Sequence, residues 1–167
     1  ALANEWDETH TARFFAQAIQ AIESNPENGL LWIHSRGLWN PWDAPYAFRE
    51  QFVGDEDPDP SSSAQVPTLE LEANFDPDTL HEIQCAFGGQ LQLIDQCLAV
   101  LNSFLSDVGK DTLFLLMSTS SFPLGEHMIV GNGHSGLLYH EAISIPAFVR
   151  YPDGKDALRR RAVEKVH

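Results

Sequence analysis

A chain of 167 residues with 43% hydrophobic content can bury one core of ordinary size, so a single domain is expected. Its 24 acidic and 10 basic side chains leave a formal charge of −14, which repels phosphate backbones and anionic bilayers and sets nucleic acid aside as a partner. No apolar run reaches the ~20 residues that cross a bilayer, so no membrane span is expected.

The first element in chain order is a helix over Thr9–Glu23, where Phe15, Ile19 and Ile22 recur at helical spacing with Ala12 behind them. Asn25-Pro26 ends it, because the residue before a proline avoids the helical region. Gly29–Ser35, GLLWIHS, is a short apolar run between turn signals and reads as a buried strand. His34 at its carboxyl end either faces a site or sits at the core rim. A Trp- and Pro-rich loop follows, in which Trp39, Trp42 and Tyr46 either form an aromatic pocket for a sugar or aryl group or roof the core. Gly54–Pro67 is polar, acidic and proline-broken, an exposed loop without the glycine and distal glutamate of an EF-hand.

Asp76-Pro77 has the form of an N-cap and first turn, and opens a long helix to Val108 with Gly109 as its C′ residue. Ile83, Phe87, Leu91, Ile94, Leu98, Leu101, Leu105 and Val108 trace one apolar stripe, expected to face a sheet. Gly88-Gly89 marks a kink or a close packing contact. Cys85 and Cys97 lie twelve residues apart on this helix, about 18 Å along its axis, too far to pair with each other. Leu113–Met117 is almost wholly apolar, as in a strand buried on both faces. Ile143–Tyr151 reads as a second strand, with Pro146 confining it to a sheet edge or to a strand start. Between them lie His127, His134 and His140, whose spacings of seven and six match no compact zinc pattern. The run Arg159, Arg160 and Arg161 reads as a solvated helix face or a contact with a further segment.

Thr112–His127, TLFLLMSTSSFPLGEH, resembles the active-site strand of the sulfatases, members of the alkaline phosphatase superfamily, whose pattern is close to T-L-V-V-x-T-S-D-H-G-x-x-x-G-E-H. Trp39–Val53 is similar to the family segment P-H-x-P-Y-x-P-P-x-x-Y-x-x-x-F, and Tyr139–Gly154 to Y-E-E-S-x-R-V-P-x-x-x-x-x-P-G. Leu93-Ile94-Asp95 stands where the family's long helix has L-D. The ordered match covers roughly Thr9 to Asp153. It implies a layered α/β/α sandwich with a mostly parallel sheet, of which this chain is the second portion. It also implies an exported or periplasmic setting and, as partner, the family's first portion. A partial domain of this kind also exposes sheet edges that favour self-association.

The resemblance does not carry the family's chemistry with it. The Asp-His pair that holds the family's divalent cation, typically calcium, falls on Thr119 and Ser120. Neutral hydroxyls are poor ligands for a hard cation that wants several carboxylate oxygens. The family's substrate-contacting His falls on Trp39 and its Lys on Asn132, and the nucleophile motif C-x-P-S-R is absent. His34, Trp42 and His127 are the remaining candidates for a pocket. Three readings follow. The first is a sulfatase-like domain that has lost ester hydrolysis and keeps a binding or scaffolding role, with no cofactor of its own. The second is part of an active metal-dependent sulfatase or phosphohydrolase whose nucleophile and ligands lie in the first portion. The third is an acidic protein-interaction module.

Overall fold

The structure, a computed structural model, describes residues 1–25, 29–39, 41–108, 111–131 and 139–152. Pro26, Gly109, Asn132, His134 and the arginines at 159–161 lie outside the described residues. The chain is mixed α/β. Its elements run α1 (His10–Glu23), α2 (Tyr46–Glu50), β1 (Leu69–Glu70), α3 (Pro77–Val108), β2 (Phe114–Met117), β3 (Ile129–Val130), α4 (His140–Ile143) and β4 (Ala147–Arg150).

Each long helix starts where its capping residue stands. Thr9 Oγ1 accepts from the Ala12 N–H at 3.1 Å and so satisfies one free donor of the first turn of α1. Asp76 Oδ1 accepts from the Asp78 N–H at 3.0 Å ahead of α3, with Pro77 in the first helical position. The helix then runs unbroken to Val108. Gly88-Gly89 proves to be a packing contact. A Cβ on Gly89 would lie 2.8 Å from Arg49 Cγ and 3.0 Å from the Arg49 backbone nitrogen, so only glycine lets α2 come this close.

The seam of α3 is offset from the expected stripe. Its buried residues are Cys85, Ala86, Gly89, Gln90, Leu93, Cys97, Leu101 and Leu105. Leu91 and Val108, both in the expected stripe, are exposed, and Leu98 is half-buried. The seam is rich in small residues because α1 and α2 pack directly onto it. Leu93 and Cys97 meet Ala12 and Ala44 there, flanked by Trp6, Phe15 and Phe48. Gln90 locks this junction. Its Oε1 accepts from the Ala44 N–H at 3.2 Å, and its Nε2 donates to Thr11 Oγ1 at 3.1 Å.

Arg49 on α2 is fully buried, and Nη1 and Nη2 donate to the carbonyls of Ser61, Ser63 and Trp42. The acidic loop is thereby stitched to the helices. Burial pushes the guanidinium down from its ordinary value, while Tyr46 and Asp43 act in the opposite direction. Cys85 and Cys97 are both buried and free, and burial raises both thiols, Cys97 to about 11.

Among the described residues there are two sheets, each of two antiparallel strands, β1 with β3 and β2 with β4. In the second, Leu115 pairs with Val149 and Met117 with Ala147. Opposed residues share a face, so these four side chains form one apolar face, and all four are exposed. The expected burial of β2 on both faces is therefore not what the chain shows. Leu113–Met117 is tied to α3 through Arg150, whose Nη2 donates to the Leu105 carbonyl at 3.3 Å. Pro146 directly precedes β4, and its carbonyl accepts from the Ser118 N–H at 3.2 Å, as a strand-start proline can. Gly29–Ser35 forms no strand. It lies outside every helix and sheet, with Leu30, Leu31, Trp32 and Ile33 exposed, because a strand needs a partner and none of the described residues supplies one. No helix of the described residues is long and apolar enough to cross a membrane.

Candidate functional site

The loop after β2 is short and polar and is held by its own first residue. Ser118 Oγ donates to the Ser120 carbonyl and accepts from the Ser120 N–H at 3.4 Å. This turn presents Thr119, exposed, and Ser120, half-buried. Phe122 then dives into the core, where it meets the rings of Trp42 at 5.2 Å, Trp39 at 5.5 Å and Phe87 at 5.7 Å. Tilted contacts at these separations are favourable aromatic arrangements. The segment that opens at Trp39 and the loop that carries Thr119 and Ser120 are thus brought side by side.

Of the two readings open for the tryptophans, packing onto the core is the one seen. Trp42 is buried among Leu71, Ala86, Phe122 and Val130, and its indole N–H donates to the Leu38 carbonyl at 3.0 Å. Trp39 is half-buried against the same cluster, and Tyr46 is not part of it. His34 is exposed on the 29–35 run, and no hydrogen bond joins it to the loop after β2.

The Gly-Glu-His turn is built against the start of α3. Gly125 has φ +106°, and a Cβ there would lie 2.8 Å from Leu80 Cδ2, so the site takes glycine on both conformational and steric grounds. Glu126 folds back, Oε2 accepting from the Leu124 N–H at 2.7 Å. His127 and Met128 follow with φ 51° and 62°. Two consecutive non-glycine residues in the left-handed region cost on the order of 1–2 kcal/mol each, and such conformations gather at functional sites. The His127 ring stacks on Tyr139 at 3.7 Å with 13° between planes. The turn is closed by the Gly125 N–H donating to the Ile129 carbonyl at 2.9 Å, and it is tied to β1 through the Leu71 N–H, which donates to the Met128 carbonyl at 2.7 Å.

Among the described residues, no three His, Cys, Asp or Glu side chains gather where they could share a metal ion. At the loop itself the donors are the hydroxyls of Ser118, Thr119 and Ser120. The Ser118 hydroxyl is engaged within its own turn, and the nearby Glu126 carboxylate caps Leu124. This donor set does not fit a calcium ion, which takes six to eight oxygens and favours carboxylates. His127 lies in the Gly-Glu-His turn, and Asn132 is outside the described residues.

Phe122 and Arg49 escaped the sequence reading. Phe122 stands alone between a serine run and a proline, with no periodicity to mark it as core. A buried arginine on a five-residue helix leaves no pattern either, and Gly89, four residues before Leu93, is its one indirect trace. Compared with protein-family models and with curated proteins, the chain matches none.

Proposed function

We propose that this chain is a sulfatase-like domain that has lost ester hydrolysis and serves as a binding or scaffolding module. The observation that carries this reading is the contact of Trp39 with Phe122. It sets the segment resembling the family's P-H-x-P-Y motif beside the loop resembling its metal-binding motif. In this reading the two segments keep their neighbourhood while the family's chemistry is replaced, by Trp39 for the substrate-contacting His and by Thr119 and Ser120 for the metal ligands.

The same resemblance gives the exposed β2–β4 face a meaning. In a layered α/β/α sandwich, Leu113–Met117 and the 29–35 run both belong to a mostly parallel sheet covered on both sides. Parallel strands need a crossover, and α3 lies between these two runs in the chain. In this reading the exposed faces of Leu115, Met117 and Val149 await further sheet or a covering layer.

Sulfate and phosphate ester cleavage need an activated nucleophile and a positive centre to stabilise charge on the transferring group. This chain supplies neither at the loop. Purified protein is expected to release no phenol from chromogenic aryl sulfates or aryl phosphates, with or without calcium. Release that scales with protein through purification and is abolished by Ser118→Ala or Ser120→Ala would contradict the reading.

A further inference from the structure

Where the acidic loop meets the first turns of α3, a thiol, an imidazole and a carboxylate converge. His81 Nε2 lies 3.1 Å from Asp57 Oδ2, and the same nitrogen lies 3.4 Å from Sγ of Cys85, one helical turn further along α3. The Cys85 thiol also donates to the Phe52 carbonyl at 3.4 Å. Asp57 is fixed by its own turn. Its Oδ2 accepts from the Gly54 N–H at 2.8 Å, and its N–H donates to the Gly54 carbonyl at 3.2 Å. Cys85 is 1% exposed, whereas the side chains of His81 and Asp57 are 32% and 42% exposed. The cluster therefore runs from a buried thiol, through the imidazole, to a turn in contact with water.

The chemistry follows from one nitrogen having two claimants. A carboxylate only accepts hydrogen bonds, so the contact with Asp57 requires Nε2 to carry a hydrogen. An Nε2 that donates to Asp57 has no lone pair for the thiol proton, and His81 is no base toward Cys85 while the turn is closed. Burial first, and then the Asp57 charge, push the thiol above its ordinary value. Lifting the turn over residues 54–57 reverses these conditions. Water reaches the sulfur, the carboxylate moves away, and the imidazole is free to take the tautomer whose Nε2 accepts a proton. An exposed turn held by one partly solvated side-chain contact opens at small cost. Cys97 supplies the contrast. It is equally buried at 1%, but it sits in the packed seam with Ala12, Ala44 and Leu93, where burial pushes its thiol up to about 11.

We propose that Cys85 and His81 form a latent thiol–imidazole pair that reacts with small disulfides when the 54–57 turn opens, with Asp57 as its latch. In the open form the thiol proton passes to His81 Nε2, and the sulfur attacks one sulfur of the disulfide. A mixed disulfide forms at Cys85, the original sulfur–sulfur bond breaks, and its other half leaves as a thiolate. The incoming disulfide is the oxidant and is reduced by the two electrons that the new bond takes from Cys85. Asp55, Glu56, Asp57 and Asp59 surround the entrance in sequence and disfavour anionic reagents, so a neutral disulfide is the fitting substrate. The proposal does not rest on the sulfatase-like reading, which concerns the loop after β2.

Reaction of the folded chain with a neutral dipyridyl disulfide tests it, followed by thiopyridone release and by mass spectrometry of the labelled peptides. Cys85 is expected to react well before Cys97, which waits for the seam to open. Asp57→Ala should speed modification of Cys85 at least ~3-fold and leave Cys97 unchanged. Asp57→Asn keeps an oxygen for the Gly54 N–H and loses the charge, so it should speed Cys85 in the same direction with the turn still formed. His81→Ala breaks the same latch but removes the base. It should not reproduce the gain, and added to Asp57→Ala it should slow Cys85 at least ~3-fold. If the turn were a cover alone, His81→Ala and Asp57→Ala would speed Cys85 alike, and that result would overturn the proposal. Native Cys85 and Cys97 reacting at one rate, or no gain with either Asp57 variant, would overturn it as well.

Discussion

Leu93→Ala is expected to destabilise the chain by roughly 2–5 kcal/mol, the range for a leucine truncated in a packed core. Leu93 is 0% exposed at the junction of α1, α2 and α3, among Ala12, Ala44 and Cys97. These small neighbours leave little to collapse into the space, which places the loss toward the upper part of that range. Leu91→Ala on the same helix is the contrast. Leu91 is 43% exposed, and its truncation should cost about 1 kcal/mol or less. Chemical denaturation of both variants separates the seam through Leu93 from the stripe through Leu91. Similar losses for the two would contradict the packing described.

Arg49→Ala is expected to cost about 2–4 kcal/mol, because it strands the carbonyls of Trp42, Ser61 and Ser63 that the guanidinium serves. The lower part of the range allows for water reaching Ser61 and Ser63, which are not fully buried. Arg49→Lys keeps the charge but not the planar fork, so it should recover only a fraction of the loss. Proteolysis supplies a second measurement. Without the clamp, the loop over residues 54–67 should be cut faster, while α3 stays protected. Full recovery by lysine would show that charge alone, and not the three-carbonyl geometry, holds the loop.

The two long helices were legible in the sequence, α1 from its apolar periodicity and α3 from its periodicity and its start at Asp76-Pro77, whereas the short α2 and α4 were not. The expected range Pro77–Val108 is the one found, and Thr9, read as the first helical residue of α1, is instead its cap. The buried face of α3 was not legible, for a physical reason. A stripe drawn through large apolar residues selects Leu91 and Leu98, whereas close helix approach is set by small residues such as Ala86, Gly89 and Cys97. Strands were harder still, since their existence depends on partners. GLLWIHS has strand chemistry and no strand, while β1 and β3, two residues each, arise only because Leu69 meets Val130 across the chain. Of the candidate site, the contact between the Trp39 segment and the loop after β2 was not read from the sequence. The residue that makes the contact, Phe122, and the left-handed turn at His127 and Met128 carry no local sign of their role.

We propose that the loop after β2 resembles the sulfatase metal-binding loop but lacks the carboxylates that would hold its cation. Calorimetric titration of the purified chain with calcium, and separately with magnesium, tests it most directly. Flat titrations are expected, because Thr119 and Ser120 offer neutral hydroxyls where carboxylate oxygens are needed. A site of about micromolar affinity that disappears in the Thr119→Ala, Ser120→Ala double variant would contradict the account.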